Sequence, residues 1–219
     1  MRIVKPSFSW MNNTVPDYDT LLGIISDAGR VCYQSEPSSK SNADFVRGLI
    51  KRGHESVLEH ASIGVKIICD RGVTHEHVRH RIAAYSQEST RYVNYSKDKF
   101  GGDITYIDIT EGIRLCPVTS KLPSSIIAEI LTEWLDACAD AEQHYMRMIE
   151  LGASPQIARS VLNNSTKSQL AVTFNIREWR HFFRLRCDKT AHPQMREVAG
   201  MLLRDFKERY PALFEDLED

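Results

Sequence analysis

Apolar and polar residues recur along this chain at two periods. Ile126, Ile127, Ile130, Leu131, Trp134, Leu135, Cys138, Ala141, Tyr145, Met148 and Ile149 keep helical spacing, and Gly152 ends the run. This predicts the longest helix. Phe45, Val46, Leu49 and Ile50 share one face of a shorter helix that stops before Gly53. Asp17 stands ahead of Leu21, Leu22, Ile24 and Ile25, as a cap does, and predicts a helix running towards Arg30, followed by a short apolar step, Val31-Cys32-Tyr33. Ile63, Val65 and Ile67 alternate with Ser62, Gly64 and Lys66, which predicts a half-buried strand. Residues 2–8, 104–109 and 169–174 read as further strands. Asp70-Arg71-Gly72 reads as a turn and 73–83 as a short helix. Ser154-Pro155 opens a helix, with serine as cap and proline in the first position. Residues 177–187 are helical and rich in arginine, and a last helix starts at Pro193 and closes at Pro211. Glu36-Pro37-Ser38-Ser39 and residues 94–103 read as loops, and 117–125 as a linker.

Strands and helices interleave without regular β-α-β alternation. The expected fold is α+β, a central and largely antiparallel sheet flanked by helices. No repeat or composition break divides the chain, so residues 1–219 are read as one domain.

Charge narrows the function. With 28 basic and 29 acidic residues the net charge is −1, so no global field draws the chain to nucleic acid or an anionic membrane. No apolar run approaches a membrane span, and residues 1–10 lack the core of a secretory signal. Five cysteines, with no C-x-x-C pair, fit reduced thiols in the cytoplasm. An anion site in such a chain must be a local concentration of arginine.

Two concentrations stand out. Residues 79–92, Arg-His-Arg-Ile-Ala-Ala-Tyr-Ser-Gln-Glu-Ser-Thr-Arg-Tyr, bring together three guanidiniums, an imidazole and two tyrosines. Composition leaves both a solvated basic turn and an anion site open, since arginine's planar fork suits phosphate and carboxylate. Arg177, Arg180 and Arg184 share a helix face, with Arg186 close by and Glu178 the only acid within the segment. Other acids or a bound anion must compensate them. Arg159, read as early in its helix, opposes the macrodipole there.

Five of eight histidines, His54, His60, His75, His77 and His80, fall within 27 positions, but His54-Glu55…Glu59-His60 is not zinc-helix spacing. The nearby arginines oppose a cation, so no metal is expected. The sequence has no glycine-rich phosphate loop, no Gly-x-Ser-x-Gly elbow and no cysteine in a nucleophile signature.

Arg79-His80-Arg81, seven residues, then Ser89 resembles the signature of flavin-dependent thymidylate synthases. Gly53-His54-Glu55-Ser56…Glu59-His60, Ala158-Arg159-Ser160-Val161-Leu162 and Asn175-Ile176-Arg177-Glu178…Leu185-Arg186 resemble three further segments of that family, in the same order. The resemblance covers roughly residues 20–205. It implies methylation of dUMP to dTMP, with 5,10-methylenetetrahydrofolate as one-carbon donor, NADPH as reductant and FAD as cofactor. It also implies release of tetrahydrofolate, no enzyme nucleophile on the pyrimidine, and a homotetramer with active sites where subunits meet.

Carried over residue by residue, the resemblance assigns Arg79, His80, Arg81, Ile82, Cys32, Ser56, Glu59, Asn175, Arg177 and His181 to FAD. It assigns Glu76, Gln87, Ser89, Arg91, Arg159 and Arg186 to dUMP. Arg186 sits at the uracil carbonyl edge, where its charge opposes charge developing on the ring. His54 is the mobile imidazole beside the flavin, and Ser89 serves at the catalytic centre as a binding residue. Tyr92 is a weaker candidate, read as a buried structural tyrosine. Ala84, Ser86-Gln87, Asn163 and His181 depart from the commonest family pattern.

Two other classes remain: a metal-dependent nucleotide hydrolase using His54, His60, His75 and His77, and a nucleotide- or RNA-binding module stacking bases on Tyr85, Tyr92 and Tyr95. The near-neutral charge opposes the second.

Overall fold

Two strands occupy the stretch expected to hold one. β1 (Arg2–Val4) and β2 (Ser7–Trp10) are separated by Lys5 and Pro6, and proline lacks the N–H that a continuous ladder uses. The structure, a computed structural model, describes residues 1–34, 41–97 and 101–218. The loop expected at 36–39 and part of the one at 94–103 lie outside the described residues. In α1 (Tyr18–Tyr33) the Asp17 carboxylate accepts from the Thr20 N–H at 2.8 Å. The helix runs on through 31–33, where a separate apolar step was expected, and closes at Gln34 in the left-handed region. Ser41 caps α2 (Asn42–Lys51), and Gly53 beyond it takes φ +73°, which glycine adopts without penalty.

A 3-10 turn (Glu55–His60) leads into β3 (Ser62–Asp70) and α3 (Arg71–His77). Asp70 is a cap, not a turn residue, because its side chain accepts from the Val73 N–H at 2.8 Å. The helix expected over 73–83 therefore starts and ends early, and Arg79-His80-Arg81 falls in the turn beyond it. Next come β4 (Ala83–Gln87), β5 (Thr105–Ile107), α4 (Thr110–Leu115), α5 (Ser124–Glu150), α6 (Pro155–Ala158), β6 (Lys167–Asn175), α7 (Ile176–Arg186), α8 (Pro193–Arg209) and α9 (Pro211–Phe214). Part of the expected linker at 117–125 forms a 3-10 turn, Thr119–Lys121, and α5 already starts at Ser124. Ser154 makes no side-chain cap; its carbonyl starts α6 instead. Pro211 opens α9 after α8 has ended at Arg209.

The main sheet runs β2-β3-β6-β4, antiparallel throughout, while β1 and β5 form a separate parallel pair. This is the expected α+β arrangement in one domain. Ile63, Val65, Ile67, Val172 and Phe174 join one core with Trp179, Phe182 and Phe183 of α7 and Leu202 and Phe206 of α8. Burying each such side chain stabilises the fold by roughly 1.5–3 kcal/mol. A second core places Tyr95, Ile104 and Tyr106 against Cys138 and Tyr145 of α5. Among the described residues no helix is long and apolar enough to cross a membrane, and none of the five cysteines is in a disulfide.

The antiparallel pairing of β3 with β6 sets Asp70 opposite Lys167 and Ser62 opposite Asn175. The helices α3 and α7 thus leave the sheet from opposite ends. About 10 Å of helix in α3 carries the chain back along the sheet, so the Arg-His-Arg turn meets the start of α7.

Candidate active site

The turn is fixed from below. Tyr85 of β4 sends its hydroxyl towards the carbonyls of His77 and His80, and its ring stands edge-on to Phe174 at 5.9 Å. His80 faces inward, 4% exposed, while Arg79, Arg81 and Ile82 face solvent, Ile82 at 66%. Neither Arg79 nor Arg81 has an acidic partner among the described residues. An apolar side chain beside two uncompensated guanidiniums suits a ligand with both a phosphate and a flat ring.

His80 commits both ring nitrogens to protein. Its Nδ1 lies 2.9 Å from Glu178 Oε1, and its Nε2 lies 3.2 Å from Arg186 Nε. Arginine can only donate, so Nε2 accepts and the ring hydrogen sits on Nδ1, facing the carboxylate. Arg186 Nη1 also donates to Glu76 Oε2 at 2.7 Å, and Glu76 Oε1 lies 3.4 Å from His192 Nδ1. Burial pushes the His80 imidazolium below its ordinary range; Glu178 opposes this and Arg186 reinforces it. His77 lies deeper, stacked on Phe182 at 4.6 Å, with neither ring nitrogen partnered among the described residues. Burial brings its pKa down to about 3. His80, Glu178 and His181 bring candidate metal ligands within 4.8 Å of one another. The Arg186 guanidinium on the far side of the His80 ring opposes a cation there.

A second group surrounds a cleft of about 370 Å³ lined by Arg71, Thr90, Gln156, Arg159, Ser160 and Leu162. Arg159 Nη1 donates to Thr90 Oγ1 at 3.1 Å, and Arg91 Nε donates to Gln156 Oε1 at 3.2 Å on its flank. No acid lines it, so two guanidiniums and two hydroxyls converge on a space without a counter-charge. Arg159 lies at the C-terminal end of α6, not in a first turn, which removes the macrodipole argument made for it. Arg71, the first residue of α3, is the guanidinium that opposes a macrodipole, and the turn expected over 70–72 hid it. Ser89 Oγ accepts from the Arg91 N–H at 3.3 Å. Gln87 Nε2 donates to Thr74 Oγ1 and Ser168 Oγ, bridging α3 to β6. Tyr92, expected to be buried, is 75% exposed, with the Arg91 guanidinium 5.4 Å from its ring centre.

The arginine-rich helix is compensated by acids from elsewhere. Arg177 pairs with Glu59 at 2.6 Å and Arg184 with Glu55 at 3.0 Å. Arg180 is wholly buried and pairs with Asp216 at 2.6 Å. These pairs balance the charges of Arg177, Arg180 and Arg184 within the chain. Asn175 caps α7 through its carbonyl oxygen, 2.8 Å from the Glu178 N–H, and keeps its amide hydrogens for another partner. Ser56 and His54 are exposed at the 3-10 turn that meets Arg177, and His181 is exposed with its ring 5.6 Å from that of His80. The structure thus gathers Glu76, His80, Arg186 and His181 in one group, Arg91 and Arg159 in a second, and Glu59 and Arg177 in a third. Cys32, exposed near the end of α1, hydrogen-bonds to none of them.

Arginines without acidic partners, at a sheet edge and in a polar cleft, have the chemistry that suits phosphate-bearing small molecules. Residues 15–212 match the family described as thymidylate synthase complementing protein. The chain belongs to that family. It is 35% identical over 207 residues to a flavin-dependent thymidylate synthase of Mycolicibacterium vanbaalenii, covering 92% of this chain and 82% of the relative. Proteins of the same name from Mycobacterium avium and Mycobacterium tuberculosis are each 33% identical over 221 residues, covering 99% of this chain and 86% of theirs.

Proposed function

We infer that the chain is a flavin-dependent thymidylate synthase. It methylates dUMP reductively to dTMP, taking the carbon from 5,10-methylenetetrahydrofolate and releasing tetrahydrofolate. The observation that carries this reading is the cleft at Arg71, Thr90 and Arg159, whose uncompensated guanidiniums fit a nucleotide monophosphate.

The donor set also fits FAD. Arg79 and Arg81 offer uncompensated donors for its pyrophosphate and Ile82 offers apolar surface for its rings. Ser56, Glu59, Asn175, Arg177, His181 and Cys32 complete this site in our assignment, the Asn175 amide donating while its carbonyl caps α7. His80 supports the site from beneath. When bound and reduced by NADPH, the flavin supplies the hydride.

Arg91 and Arg159 hold the dUMP phosphate, with Ser89, Gln87 and Glu76 along the nucleotide. Arg186 faces the uracil carbonyl edge, and its positive charge stabilises negative charge developing on the ring. Ser89 binds and does not attack: its oxygen accepts from a main-chain N–H, and no base bonds to it among the described residues. The exposed His54 imidazole controls access beside the flavin.

We assign the active sites to the interfaces of a homotetramer. Leu151 and Ile157, exposed large apolar residues beside α5 and α6, support a surface that other chains cover. A cytoplasmic location agrees with five cysteines of which none is in a disulfide among the described residues.

Purified protein should be yellow, bleach under NADPH, and form dTMP with tetrahydrofolate as co-product. Colourless protein that takes up no added FAD overturns the reading, and scattering mass other than four chains overturns the tetramer.

A further inference from the structure

We propose that Glu178 is a positioning residue for Arg186 and acts through His80, holding the imidazole in the one tautomer that can accept from the guanidinium. The proposal rests on the assignment of Arg186 to the substrate.

The geometry leaves little choice. Arg186 Nε faces His80 Nε2 at 3.2 Å, and a ring carrying its hydrogen on Nε2 would set N–H against N–H. The opposite nitrogen would then turn a lone pair towards the Glu178 carboxylate. Both bonds exist together only with the hydrogen on Nδ1, 2.9 Å from Glu178 Oε1. A carboxylate enforces this because it only accepts. Glu178 is itself held by its main-chain N–H, which bonds Asn175 Oδ1 at 2.8 Å. The other edge of Arg186 is held by Glu76, through Nη1 at 2.7 Å and through the Glu76 carbonyl. The guanidinium therefore sits between two fixed acceptors, one of which exists only because Glu178 selects it.

The groups facing His80 agree. From α7 come Glu178, His181 and Arg186; from α3, His77; from β4, the Tyr85 hydroxyl on the His80 carbonyl. A second proton on His80 would lie against Arg186, so acidification should release the guanidinium from the ring.

The test is a double-mutant cycle on dUMP affinity, measured by calorimetry on the FAD-loaded full chain. Glu178→Gln presents either an oxygen or an N–H to Nδ1 and no longer selects the tautomer. We expect it to weaken dUMP binding about tenfold with FAD content unchanged, and to add less than about twofold to the loss in Arg186→Lys. Affinity within about twofold of wild type, or losses that multiply in full, overturns the proposal. Should Glu178→Gln fail to fold, Glu178→Asp, which shortens the reach, takes its place in the cycle with the same two outcomes. Unchanged dUMP affinity in Arg186→Lys alone overturns the assignment of Arg186 itself, and is seen before the Glu178 variants are compared.

Discussion

Arg180 and Asp216 meet in two parallel hydrogen bonds of 2.7 and 2.6 Å, although the arginine is wholly enclosed and the aspartate is 48% exposed. Arg180 also donates to the Leu213 carbonyl, so one side chain ties α7 to α9 and the residues after it. Removing one partner of a fully buried pair costs roughly 3–5 kcal/mol. Water screens Asp216 here, so Arg180→Met should cost about 2 kcal/mol, read as a lower denaturation midpoint. The bonds from Arg180 hold the Asp216 carboxyl below its ordinary 3.8. Its contribution is complete above that value and is lost as pH falls through the lower folded value. The stability gap between wild type and Asp216→Asn should therefore close on acidification below pH 4.

Glu197 titrates in the opposite sense. Burial, reinforced by Glu111, Asp108 and Asp70, pushes its carboxyl up to about 7. The folded protein then holds a proton that the unfolded chain has lost, so stability falls as pH rises from 4.5 to 7. Glu197→Gln should be more stable than wild type at pH 8, by about 1 kcal/mol after allowing for solvent screening, and no more stable at pH 4. Thermal midpoints of the two proteins against pH check this.

Arg71→Ala and Arg159→Ala should each raise KM for dUMP about 10- to 100-fold, the worth of a charged hydrogen bond, with the flavin spectrum unchanged. An unaltered KM in both would separate the cleft from the nucleotide.

Arg81→Ala should release FAD on gel filtration while leaving the fold intact. Tyr85→Phe should loosen the same cofactor by a different route, because it frees the carbonyls that fix the turn, and should also cost about 1 kcal/mol of stability. Flavin absorbance per chain distinguishes both from wild type.

Elements whose burial repeats along the chain were legible. The alternation at Ile63, Val65 and Ile67 gave β3, and the spacing from Ile126 to Ile149 gave α5. β4 was not, because Ala83-Ala84-Tyr85-Ser86-Gln87 has no β-branched residue and little alternation; pairing with β6 makes it a strand. In the site, the resemblance supplied the residue types, but only the fold showed which are spoken for. Asp216 lies 36 residues beyond Arg180, and Glu178 lies 98 beyond His80, separations that no local pattern encodes. Arg71 was hidden by its short neighbour Gly72, which made a helix start look like a turn.

β4 is paired along one side only among the described residues, so alternate main-chain amides of 83–87 have no strand beside them. Those amides give the molecule a natural isotope clock. Hydrogen exchange there should run fast in the isolated chain and slow when a ligand or a neighbouring chain lies against the edge. The arrival of either could then be timed at single residues without any label on the protein.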